Sequence, residues 1–106
     1  MASLLKIKNT VVTPKVVIIA AAVINAANTL GIGQDMLITS ANDGKHMKRS
    51  KHYTNAALDF RTKHLTSQEK DDLVKEVKRQ LGAQYDIILE HRGGINEHLH
   101  VEFDPK

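Results

Sequence analysis

The sequence predicts an α+β domain with a small antiparallel sheet and two main helices, in the order helix-strand-strand-helix-strand-strand. Three observations carry this. A capped apolar run, Pro14 to Leu30, reads as a helix. A second capped segment with helical spacing follows Thr66. Two alternating runs close the chain, Tyr85 to Glu90 and His98 to Phe103, and the short loop between them, containing Gly93-Gly94, makes them a hairpin.

In the first helix Thr13 is the expected N-cap and Pro14 the first helical residue, where its missing N–H costs nothing. The helix should end at Gly31 and be well buried, because Val16 to Ile24 is apolar nearly all round. A short strand is expected at Met36 to Thr39, then a polar stretch from Ser40 to Lys51. Ala57 to Arg61 alternates, with Leu58 and Phe60 on one face and Asp59 on the other, as in a half-buried strand. In the second helix Thr66 and Glu69 form a capping box, and basic Lys75, Lys78 and Arg79 follow acidic Glu69, Asp71 and Asp72, as the helix dipole favours. Leu73, Val74, Val77 and Leu81 make its buried stripe, and Gly82 ends it.

With 106 residues the chain is expected to form one domain, residues 13–104 as the core and 1–12 as an N-terminal extension. A hydrophobic share of 42% argues against disorder. Cysteine is absent, so any metal must be held by His and carboxylates. The net charge of +3 suits a polyanionic partner without choosing one. Nine uninterrupted apolar residues, Val16 to Ile24, are too few for a membrane span, and the Thr13-Pro14 cap favours a domain helix over a signal peptide.

The last strand carries His98, His100 and Glu102 at alternate positions, on the face opposite Leu99, Val101 and Phe103. A solvated sheet face explains these alone. Together with His52 and Asp59 they suggest more: His52, Asp59 and His100 form a three-ligand site for one Zn2+, with the fourth position left for water. Glu97 is then placed to act as general base, on condition that an irregular strand start turns it toward His100.

Ser50-Lys51-His52-Tyr53-Thr54-Asn55-Ala56-Ala57-Leu58-Asp59 resembles the Ser-x-His-x-x-Gly-x-Ala-x-Asp motif of the zinc D-Ala-D-Ala carboxypeptidases and L-alanyl-D-glutamate endopeptidases, including short phage-type members. Glu97-His98-Leu99-His100 resembles their second motif. The resemblance implies the Hedgehog/DD-peptidase fold and a metallopeptidase cutting the peptidoglycan stem peptide, D-Ala-D-Ala carboxypeptidase or L-Ala-D-Glu endopeptidase in type. It also implies His52, Asp59 and His100 as zinc ligands, Glu97 as base, His98 beside them stabilising the transition state, and Ser50 ordering the loop or touching substrate. Asn55 stands where the family has Gly, a change compatible with positive φ. The Arg that many members use to grip a substrate carboxylate has no counterpart in Thr39 to Asp43, which leaves Arg61 and Arg92 as candidates.

The implied protein is a monomer with no membrane partner, made in the cytoplasm and acting on the cell wall, as a phage lysin does. Two rivals are a non-catalytic, metal-binding Hedgehog-like domain and a nucleic-acid-binding module built on Lys45 to His52. The second has one aromatic nearby, Tyr53, where single-strand binders present several. A phosphoesterase of the paired His-x-Thr/Ser kind is set aside, because His98-Leu99-His100 has no hydroxyl partner and no second copy.

Overall fold

A computed structural model describes residues 6–7, 10–11, 13–41 and 56–105. The elements are β1 (Lys6–Ile7), β2 (Thr10–Val11), α1 (Pro14–Thr29), β3 (Ile38–Ala41), β4 (Ala57–Arg61), α2 (Ser67–Leu81), β5 (Tyr85–Glu90) and β6 (His98–Phe103). From α1 onward the order is the expected one. The two short strands before it, paired antiparallel as a separate ladder, were not expected from the sequence. Two residues each give too little pattern to read.

Strands β3 to β6 form one antiparallel sheet in the spatial order β3-β4-β6-β5. The C-terminal strand therefore lies inside the sheet, between β4 and its hairpin partner β5. Its inward residues Leu99 and Val101 are fully buried beside Leu58 and Phe60 of β4 and Ile87 of β5. Both helices cover that face, with Val16, Ile19 and Val23 from α1 and Leu73 and Val77 from α2 joining the same core. Each such aliphatic side chain contributes on the order of 1.5–3 kcal/mol by leaving water.

Local chemistry sets the helix ends. Thr13 Oγ1 accepts the Val16 N–H, and Pro14 opens α1. At the other end Gly31 has φ +72°, while Gly31 N–H reaches Asn28 O and Ile32 N–H reaches Ala27 O. These are the two bonds of a Schellman motif, which needs a left-handed residue at this position. The Thr66–Glu69 capping box forms in full.

Two expectations need correction. The first strand of the main sheet lies at Ile38–Ala41, about two residues beyond the range read from the sequence. Apolar Met36 and Leu37 drew the sequence reading forward; pairing with β4, with a register shift between Ile38 and Ser40, decides the actual span. Helix α1 is also not buried all round. Val17, Ile18 and Ile24 remain 44–51% exposed, because a helix lying on a sheet buries the stripe that faces it and leaves the far side outward.

Candidate metal and peptide site

The site starts from strand alternation. On β4, Leu58 and Phe60 face the helices, so Asp59 and Arg61 face the other way. On β6, Leu99 and Val101 face the helices, so His98 and His100 turn outward. The β4–β6 register pairs Asp59 with His100 and Arg61 with His98, and the β5–β6 register pairs Glu90 with His98. Residues paired across strands project to the same face. Asp59, His98, His100, Arg61 and Glu90 thus share one open face of the sheet.

Asp59 Oδ1 and His100 Nδ1 are 2.7 Å apart, and His100 Nε2 is 3.0 Å from Glu102 Oε1. With a carboxylate at each ring nitrogen, His100 is held as an imidazolium donating to both. Its pKa is pushed up to about 9, first by the hydrogen bond to Asp59 and then by Glu102, against the opposing effect of burial. His98 donates from Nδ1 to the Asn96 carbonyl at 2.8 Å and from Nε2 to Glu90 Oε1 at 2.7 Å. Burial works against its charge, yet the Asn96 carbonyl and the carboxylates of Glu90 and Asp59 outweigh it and leave the pKa raised. His98 Nε2 is 3.8 Å from Asp59 Oδ1.

The donor set suits zinc: one carboxylate oxygen and one imidazole nitrogen, on neighbouring strands and pointing the same way. Asp59 and His100 would be two of the ligands, and the proton they share would have to leave for a metal to bind there. Among the described residues no group of three is arranged to hold a metal ion. The third expected ligand, His52, lies outside the described residues, as do Ser50 and the basic stretch Lys45 to Lys51.

Glu97 is positioned otherwise than the base assignment requires. It precedes β6, as expected, but that irregular start does not turn its carboxylate toward His100. The Thr62 hydroxyl donates to Oε2, and the Lys70 ammonium and the Gly93 N–H donate to Oε1 at 2.8 and 3.0 Å. Its side chain is 1% exposed. Burial alone would raise its pKa. The Gly93 N–H, Lys70 and Thr62 overcome that and hold it at about 2. The carboxylate ties α2, the segment after β4 and the β5–β6 turn to one point.

Arg92 is likewise committed, to Asp71 at 2.6 Å and to the hydroxyl and carbonyl of Ser67, on α2 and away from the Asp59–His100 pair. Arg61 stands opposite His98 and lines a cleft of about 590 Å³ together with Lys63, His91, Ile95 and His98. Sequence reasoning did not single out Lys63, His91 or Glu90. The cross-strand register that brings Glu90 to His98 is a pairing between strands, which the hairpin pattern announces only to within a residue or two.

Comparison with known proteins finds no matching family model, no matching curated protein and no matching solved structure. No described helix is long and apolar enough to cross a membrane.

Proposed function

We propose that the chain is a zinc-dependent peptidase of the Hedgehog/DD-peptidase type, hydrolysing a peptide bond of the peptidoglycan stem peptide. The observation that carries this reading is the outward-facing Asp59–His100 pair on neighbouring strands, with His98 two residues from His100 on the same face. The order of elements from α1 to β6 supports the finer fold assignment.

In this reading Asp59 and His100, with His52 from the preceding segment, hold the metal. When bound, zinc polarises the scissile carbonyl and makes water acidic enough to attack it near neutral pH. His98 holds a proton on the same face, oriented by the Asn96 carbonyl and Glu90, and is the group placed to stabilise a developing oxyanion. His98, protonated, is placed to give a proton to the leaving amine and not to take one from water; Glu97, whose carboxylate is occupied by three donors, anchors the start of the strand that carries both histidines. A cytoplasmically made, phage-type lysin acting on the wall remains the setting we propose.

The commitment of Glu97 also favours a second reading, a metal-holding domain that does not cleave. Digestion of purified peptidoglycan by zinc-loaded protein, with and without chelator and with His100→Ala as control, separates the two. Chelator-sensitive release of stem-peptide fragments, lost in His100→Ala, is the expected result. Folded protein that takes up zinc and releases nothing establishes the second reading, and protein that takes up no zinc removes both.

A further inference from the structure

Strand β5 is hydrogen-bonded to β6 along one side and to no described strand along the other. An edge strand leaves every second residue with its N–H and C=O directed outward, ready to pair with another chain. Folded proteins usually blunt such an edge with a lysine, a proline or a bulge on the strand itself. Tyr85–Glu90 has none of these: its register with β6 is unbroken, and its centre is the apolar run Ile87-Ile88-Leu89. Ile88 is 48% exposed.

Beside this edge runs a groove of about 580 Å³ between α2 and β5. Val74, Lys75 and Lys78 line it from the helix, and Ile87, Ile88 and Leu89 from the strand. Lys78 stands one helical turn beyond Val74 and Lys75, so the three share one flank of α2. Arg92 and Asp71, which also border the groove, satisfy each other. Lys75 and Lys78 are exposed and have no hydrogen bond or ion pair with a described residue. The groove thus joins unpaired backbone groups, an apolar floor and positive charge in excess.

We infer that the free edge of β5 binds an extended acidic segment of another protein, which joins the sheet as a further strand with its carboxylates against Lys75 and Lys78. Strand alternation sets the pattern of that segment. Its helix-side residues reach the two lysines and are acidic. Its open-face residues lie beside Ile88, between Asp86 and Glu90, where another carboxylate would be repelled; they are apolar. A second copy of the chain fits this edge poorly. Antiparallel pairing of β5 with itself sets both α2 helices on one side of the joined sheet, lysine flank against lysine flank. A nucleic-acid backbone supplies negative charge but not the alternating N–H and C=O groups that the edge needs. The inference is independent of the peptidase reading, whose site lies on β4 and β6.

The test is fluorescence anisotropy with the full chain in chelator, using a labelled short peptide that alternates glutamate and valine. Binding is expected, and at least about tenfold weaker for the same peptide with lysine in place of glutamate. N-methylation of alternate peptide amides separates strand addition from plain charge attraction. Methylating the set that faces β5 is expected to abolish binding, and methylating the other set to leave it intact. Lys75→Gln with Lys78→Gln is expected to weaken binding at least about tenfold with an unchanged melting temperature, because neither exposed side chain has a partner to lose. Hydrogen exchange should slow at amides of β5 when the peptide is bound, and not at those of β3. Equal binding of the lysine peptide, tolerance of both methylated sets, undiminished binding by the double variant, or equally tight binding of an oligothymidylate of the same charge overturns the inference.

Discussion

Asp59 and Glu97 are both carboxylates bordering the central strand β6, and they are used in opposite ways. Asp59 lies on the open face, 24% exposed, with one oxygen against His100. Glu97 lies on the helix side, sealed beneath Thr62, Lys70 and Gly93. A carboxylate that must exchange partners needs access and an incomplete set of donors. One that must hold three segments together needs the reverse. Strand alternation along β4 turns Asp59 outward, whereas partners distant in sequence enclose Glu97, and that difference separates an open face from a structural joint.

The strongest way to break this contrast is Glu97→Gln. It leaves the Lys70 ammonium, 14% exposed, without its counter-charge, and loss of one partner of a buried pair costs on the order of 3–5 kcal/mol. Urea unfolding should show that loss, and a change below about 1 kcal/mol would return Glu97 to the catalytic list. The same residue makes the fold acid-sensitive. Its folded pKa of about 2 lies below the ordinary value of 4.5, so its stabilisation is complete above the ordinary value and disappears as pH falls from about 5 toward 2. Melting curves across that range should slope downward in the native chain and lie flatter in Glu97→Gln.

In the turn before β6, His91→Gly removes the left-handed strain and is expected to stabilise the fold by about 1 kcal/mol, read by urea unfolding. Unchanged or reduced stability would mean that the His91 side chain repays the strain through contacts of its own. The smallest stability effect is expected for Asp59→Asn, within about 1 kcal/mol because the pair is partly solvated, together with a loss of zinc uptake read by metal titration. A large loss of stability there would erase the contrast between the two carboxylates.

Much of this arrangement is legible in the sequence, because it depends on local rules. The Thr66–Glu69 box, the Gly31 and Gly82 ends and the alternation of β4 and β6 each follow from a few neighbouring residues, and they already place Asp59, His98 and His100 outward. The surroundings of Glu97 are set by Lys70, 27 positions away, and Thr62, 35 away, and no local pattern announces such partners. The same limit hid Glu90 as the partner of His98. Arg92 looked as available as Arg61 in the sequence; only the packing of the β5–β6 turn against the start of α2 shows that it is taken. The span of β3 was misplaced for a related reason, since a four-residue strand is defined by its neighbour more than by its own composition.

The placement of β6 inside the sheet has one more consequence, for the fidelity of the folded population. If that strand slid by a single residue against β4 and β5, every side chain on it would change sides. Leu99, Val101 and Phe103 would be turned to solvent and both histidines driven among the aliphatic side chains of α1 and α2. A molecule with the wrong alignment is therefore not a folded one with a displaced site; it forfeits its core and unfolds. The three apolar residues between and beyond the histidines act as a proofreading device, ensuring that any copy stable enough to persist also presents His98 and His100 to the same side.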